Sequence, residues 1–301
     1  MNRPVFIIGC PRSGTTILLR LLGMHDSFAW VSQYLNHFPR RVYTSLLKRI
    51  YDVPCVGSRL RVKNNRYLPM PVEPWQFWRA HLSKFCWNID RDKQPRLHDA
   101  NDITGEEVRR IRGIVEAVCR HQDRQRFLSK YTDFPRITYL LQAFPDAQFV
   151  HIIRDGRAVA NSYFDKVRTG AFATWSQRDW WESALPQPWR GAFREQHYSP
   201  CSLLAYLWMF FVSLIREDAK ALPASQYMEV RYSELTGSPK ETLRRLTDYC
   251  GLEFTRKFEW CIGRKSVRSM DYKWKESLDA AQQQELNCIF AEEPFRSLLD
   301  S

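Results

Sequence analysis

Apolar and polar positions change period within the first 25 residues. PVFIIGC at 4–10 is an unbroken apolar run that ends in glycine and proline, the pattern of a buried strand. ILLRLLGMH at 17–25 then takes helical spacing, with Gly23 near its end. Strand, glycine-containing loop and helix follow one another, and the alternation returns downstream. RFLSK at 126–130 predicts a second strand, and PRITYLLQAFP at 135–145 a helix opened by proline at its first turn. AQFVHIIRD at 147–155 predicts a third strand and GRAVANSYFDKV at 156–167 the helix after it. QYMEVRYSEL at 226–235 reads as a fourth strand leaving through a turn.

Other segments are helical throughout. TGEEVRRIRGIVEAVCRHQ at 104–122 is amphipathic, with Thr104 as N-cap and acids in its first turn. SPKETLRRLTDYCGL at 238–252 has Ser238 as cap and Gly251 at its end. The longest apolar stretch, SLLAYLWMFFVSLI at 202–215, has 14 residues, too short for a bilayer, and predicts a buried helix over 202–221. No integral membrane segment is expected. Residues 34–100 scatter aromatics, prolines and arginines and predict helices with long loops. Residues 172–190 concentrate Trp175, Trp180, Trp181 and Trp189, a stacking platform for a sugar or aromatic ligand or a core filling. From about Arg264 the chain is basic and then helical. Strands alternating with helices predict an α/β fold, a parallel sheet flanked by helices on both faces.

With 45 Lys and Arg against 33 Asp and Glu, the net charge is +12, which attracts anions: nucleic acid, an anionic membrane, or a phosphorylated or sulfated small molecule. A solvated basic surface explains the excess equally well. No nucleic-acid-binding module and no dominant lysine/arginine tract appears, so no nucleic-acid partner is expected. The 8 cysteines form no CxxC and share no zinc-ligand spacing with histidine; they are expected to be reduced and mostly buried, without a metal. The N-terminus has no secretory signal, which points to a cytoplasmic setting.

GCPRSGTT at 9–16 follows a strand and opens a helix, so its backbone N–H groups face an anion at the positive end of the helix dipole. The spacing of Gly9, Gly14 and Thr16 fits the GxxxxGK[ST] loop of nucleotide-binding enzymes, but Thr15 stands where the lysine belongs. That argues against a kinase or NTPase, the leading alternative. Thr16 can still serve a phosphate oxygen, and Arg12 supplies a cation from another position. A second anion signature is IIRDGRAVANSYF at 152–164, in which Arg154 ends a strand and Ser162 lies two helical turns on. A guanidinium fork and a hydroxyl suit a phosphate dianion.

PRSGTT resembles the 5′-phosphosulfate loop of sulfotransferases that use 3′-phosphoadenosine 5′-phosphosulfate (PAPS), and it looks closest to the tyrosylprotein and bacterial carbohydrate-type branch. The resemblance covers roughly 4–30 and 126–278. It implies a P-loop-like fold in a single domain over 1–301, with insertions at 34–125 and 168–225 forming the acceptor site. The implied reaction is sulfuryl transfer to a hydroxyl or amine of a small-molecule, carbohydrate or lipid acceptor, releasing 3′-phosphoadenosine 5′-phosphate (PAP) without a metal. Arg12, Ser13, Gly14, Thr15 and Thr16 would hold the 5′ end, Arg154 and Ser162 the 3′-phosphate, with Tyr232 beside the adenine. Lys265, Arg268, Lys273 and Lys275 are candidates for the basic loop that closes over the 3′-phosphate. Arg12 would stabilise the bridging oxygen and Lys130 contact the sulfuryl group.

The general base departs from the family pattern. Thr132 stands where the cytosolic branch has histidine, and Ser32-Gln33 where the tyrosylprotein branch has glutamate. Glu73, in PVEPWQFW, is the first candidate, since an apolar and aromatic setting favours a protonated carboxyl. His98 and Asp99 follow, then Asp133. A nucleotide-binding protein that has lost its base is the remaining alternative.

Overall fold

The computed structural model describes residues 3–52, 68–86, 99–169, 178–195, 199–263 and 267–300. Five parallel strands, β1 (Val5–Gly9), β2 (Phe28–Trp30), β3 (Arg126–Thr132), β4 (Gln148–Ile153) and β5 (Tyr227–Arg231), form one sheet in the order β2-β3-β1-β4-β5. The side-chain period of two divides each strand between two cores. Val5, Ile7, Leu128, Val150, Ile152 and Val230 face the helices Thr15–Leu22, Pro239–Cys250 and Arg256–Gly263. Phe6, Ile8, Phe127, Tyr131 and Phe149 face Trp75–His81, Gly105–Gln122 and Ile137–Ala143. A strand buried on both faces favours a continuous apolar run, as at 4–10, whereas β3 and β4 also bury polar residues such as Lys130, Gln148 and His151.

The predicted strands and helices are present, with four differences. β2 was not foreseen: its three residues are too few to carry a period, and its register is set by pairing Phe28 with Arg126 and Trp30 with Leu128. The exit of β5 is a short helix, Tyr232–Gly237, rather than a turn. The helix after Pro135 begins at Ile137, so the proline precedes it. Ser238 caps its helix through its main-chain oxygen, which accepts from Thr242, while its hydroxyl makes no capping bond. Thr104 does form a capping box with Glu107, and Gly251 ends its helix in the left-handed conformation.

The helix Pro200–Ala219 is long and apolar enough to cross a membrane by length and composition, yet 72% of its most apolar window is buried inside the fold. It packs on the helix Gly156–Arg168 and on Ala280–Ala291. Of the cysteines, Cys10, Cys86, Cys119, Cys201, Cys250 and Cys261 are buried thiols and Cys288 is exposed; Cys55 lies outside the described residues.

The strand order places a crevice where connections leave in opposite directions, between the carboxyl ends of β1 and β4. The apolar helix supports that crevice from below: Trp208 Nε1 donates to the main-chain oxygen of Arg154 over 3.0 Å, at 0% exposure. Trp208→Phe keeps most of the bulk and strands a buried carbonyl, so it should lower stability by about 1–3 kcal/mol, read by urea denaturation.

Candidate active site

At the carboxyl end of β1 the chain must turn sharply to feed the helix Thr15–Leu22. Arg12 takes the left-handed conformation at φ 72° and Gly14 follows at φ 96°. A side chain at Gly14 is excluded twice: by that backbone angle, and because a Cβ there would lie 2.5 Å from the Tyr232 ring. The helix has no side-chain N-cap and no acid in its first turn, so its amino end stays electropositive.

Arg154 leaves β4 beside this loop and is 8% exposed. Its Nε donates to Asp271 over 2.7 Å and its Nη1 to the main-chain oxygen of Arg12 over 3.0 Å. Its guanidinium also lies 4.5 Å from the centroid of Tyr232. Arg12 Nε reaches Ser162 Oγ over 3.0 Å. The two anion motifs, some 140 residues apart in sequence, are thus hydrogen-bonded to each other.

β3 contributes the third part. Leu128, Lys130 and Thr132 share one face of the strand by its period of two. Lys130 is 4% exposed; its ammonium donates to Glu73 Oε2 over 2.9 Å and to Thr15 Oγ1 over 3.2 Å. Thr132 Oγ1 donates to Glu73 Oε1 over 2.9 Å. Glu73 is therefore not held in an apolar pocket, as its flanking residues suggest; both carboxylate oxygens are engaged by polar partners. The segment that carries it is pinned by Arg136, which is fully buried. Arg136 donates to the main-chain oxygens of Phe85 and Phe134 over 2.8 and 2.6 Å and lies 5.2 Å from the Trp75 ring.

Asp133, next along, is held at φ 78°. Burial pushes its carboxyl up to about 7, and the nearby Glu73 charge adds to this against the pull of Arg136 and Lys130. Three lysines (Lys130, Lys166, Lys273), three carboxyls (Glu73, Asp133, Asp165) and two arginines (Arg12, Arg154) thus line one cavity of about 750 Å³.

Arg12, Gly14, Thr15, Thr16, Glu73, Lys130, Asp133, Arg154, Ser162, Tyr232 and Lys273 all line it. Ser13 does not. It is fully buried beneath the loop, where its N–H closes a turn on Cys10, and its hydroxyl has no partner among the described residues. Asp99 is exposed and caps a short turn by accepting from Asn101, so it takes no part in the site. His98 and Lys265 lie outside the described residues, as do Trp175 and the side chain of Trp180. Lys275 packs on the Trp274 ring, and the main-chain oxygen of Arg268 accepts from Tyr232.

Asn161, Lys166, Trp75, Trp181 and Met270 also line the cavity and were not anticipated. Ala158, Ser162 and Lys166 recur every fourth residue on one helix, a signal that could have identified Lys166. Trp181 stacks on Phe134 at 6.3 Å, while Trp189 packs against Phe210 in the core. The tryptophan-rich segment therefore divides between the cavity wall and the interior.

The chain matches the sulfotransferase family model over residues 4–256, a span that includes the stretch 34–125 in which the sequence alone showed no likeness. The omega-hydroxy-beta-dihydromenaquinone-9 sulfotransferase Stf3 of Mycobacterium bovis is 25% identical over 263 residues, 83% of this chain and 63% of that protein. Protein-tyrosine sulfotransferase A of Caenorhabditis elegans is 23% identical over 257 residues, 84% of this chain and 51% of that protein. This chain spans about half to two thirds of the length of these relatives. The crystal structure of sulfotransferase STF9 from Mycobacterium avium shares the fold with a TM-score of 0.55 at 14% identity, over 96% of this chain and 75% of that one.

The raised Asp133 carboxyl carries a sign. Between about 3.9, where an unfolded aspartate titrates, and about 7, the folded chain keeps a proton that the unfolded chain has released. Stability should fall as pH rises through that window. Asp133→Asn should flatten the fall, measured by denaturant midpoints across the window.

Proposed function

Since the chain belongs to the sulfotransferase family, we propose that it transfers a sulfuryl group from PAPS to a hydroxyl or amine acceptor by in-line displacement, releasing PAP. The observation that carries this reading is the meeting of two separate anion sites, at the loop 11–16 and at Arg154, on one cavity that also holds the Lys130–Glu73 pair.

The residues fit such a nucleotide. The Gly14 cradle would be filled by any Cβ, and cations stand at both ends of the site. The loop N–H groups with Thr15 and Thr16 would hold the 5′ end, and Arg154, Ser162 and Lys273 the 3′-phosphate, with Tyr232 beside the base. When bound, PAPS supplies the sulfuryl group and a phosphate leaving group. Arg12 and Lys130 provide positive charge where negative charge builds in the transition state. Lys130 also supplies, from the neighbouring strand, the ammonium that a kinase-type loop carries at position 15, since it hydrogen-bonds Thr15 there. Glu73 serves as general base, held at the cavity wall by Lys130 and Thr132. Asp133, close enough to feel the Glu73 charge, is a further carboxyl at the cavity, as is Asp165.

The chain reads as one domain over 1–301 in a cytoplasmic setting. Trp75 from the insertion 34–125 and Trp181 from 168–225 line the cavity, which supports an acceptor site formed between the two insertions. The names of the relatives describe a hydroxylated menaquinone and protein tyrosine as acceptors, both hydroxyl-bearing. An aromatic wall suits a small-molecule, carbohydrate or lipid alcohol.

PAP at about a hundred times its Kd should add about 2.7 kcal/mol of stability, read as a rise in Tm that ATP does not reproduce and Arg154→Ala loses. A rise with ATP and none with PAP would instead assign the site to phosphoryl transfer. Glu73→Gln should keep the PAP response and lose about 10²–10⁴ in kcat against an acceptor panel of alcohols, phenols, sugars and lipids. Unchanged kcat would remove Glu73 as the base.

A further inference from the structure

Away from the cavity, one segment is folded with its polarity reversed. Residues Val42–Asp52 form successive 3-10 turns, which bring every third side chain to the same face. The inward face carries Ser45 and Lys48, 1% and 4% exposed. Ser45 Oγ shares a 3.0 Å hydrogen bond with His121 Nδ1, and the Lys48 ammonium lies 5.7 Å from the centroid of Trp30. The outward face carries Tyr43, Leu46, Leu47 and Ile50, with Phe38 just before them, all between 38% and 59% exposed.

The hydrophobic effect acting on this chain alone would turn that face inward. Among the described residues, 5 of the 8 exposed large hydrophobic side chains fall between positions 38 and 50, so the exposure is a ridge and not a scatter. Arg40, Arg41 and Arg49 stand exposed along the same ridge, and none of them forms a salt bridge among the described residues; Arg49 Nε donates to the main-chain oxygen of His121 over 2.7 Å, and the Arg41 guanidinium lies 5.2 Å from the Phe38 ring. The one acid of the segment, Asp52, is taken by Arg124.

We propose that this ridge is a docking surface for an anionic lipid bilayer, with Phe38, Tyr43, Leu46, Leu47 and Ile50 entering the acyl boundary and the three arginines meeting headgroup phosphates. Charge complementarity selects this occupant. Guanidinium groups beside an apolar strip match an interface that is negative at its surface and apolar a few ångströms below. A second copy of the chain would meet the ridge with the same arginines, and like charges across a two-fold contact oppose it. The inference is independent of the reaction the cavity performs.

The test is co-sedimentation of the full chain with phosphatidylcholine vesicles and with phosphatidylcholine/phosphatidylglycerol vesicles. Wild type should pellet with the anionic vesicles alone. The charge-neutral change Leu46→Ser with Leu47→Ser should weaken binding at least about tenfold. Arg40→Gln and Arg41→Gln together should weaken it about thirtyfold. Because these side chains face solvent, both variants should keep the wild-type Tm, which separates lost docking from lost folding. Failure of wild type to pellet, or equal pelleting with both vesicle types, overturns the proposal. So does undiminished binding by the Leu46→Ser, Leu47→Ser variant, which would trace binding to the net charge of +12. A concentration-dependent dimer in analytical ultracentrifugation that the same variant abolishes would assign the ridge to a second copy instead.

Discussion

The site depends on one buried cation. Taking a guanidinium out of water is costly unless its donors are matched. Arg154 is matched on three sides, by the Asp271 carboxylate, the Arg12 carbonyl and the face of Tyr232, while its own carbonyl receives Trp208. Those contacts come from the first loop, the helix after β5, a late segment of the chain and the long apolar helix. Holding this one residue, by side chain and main chain together, therefore sets the relative positions of four elements that are distant in sequence. It also accounts for Gly14: Tyr232, stacked on the guanidinium, leaves no room for a Cβ where the loop passes it.

The side of the cavity that carries Glu73 follows a second constraint. The period of two in β3 sends Lys130 and Thr132 to one face, and both meet Glu73 from a segment some 57 residues earlier. A single ammonium then serves two tasks, since Lys130 also bonds Thr15 in the anion loop. Asp133 lies beside this pair, where burial raises its carboxyl and the Glu73 charge adds to the rise. Its left-handed backbone, like that of Arg12, is a conformation non-glycine residues adopt at some cost, and both lie at the cavity.

The distribution of charge fits these two levels. Lys130 and Arg154 at the cavity are paired with carboxylates, which orients them, whereas the arginines on the 38–50 ridge are exposed beside apolar side chains and form no salt bridge among the described residues. A net charge cannot distinguish the two. The same excess of lysine and arginine is compatible with a nucleotide pocket, a membrane face or a plain solvated surface, and only position separates them.

What the sequence determined by itself was local in its physics. Continuous apolar runs in strands buried on both faces, capping residues such as Thr104, and the glycine loop between a strand and a helix all act within a few residues, so they are legible in order along the chain. Arg12, Arg154 and Ser162 were legible for the same reason, each sitting at a strand end or on the helix that follows. Tertiary structure decided what depends on distant partners. The strand at 28–30 is too short to carry its own period and exists through pairing with β3. Glu73 has aromatic neighbours in sequence but polar ones in space, because Arg136 draws its segment over the end of β3. Asp99, a plausible acid in sequence, is spent on a cap, and Asp133 acquires its character only from enclosure beside Glu73. The outward apolar face of residues 43–50 could not be read either, since which side of a helical segment is buried is settled by what packs against it.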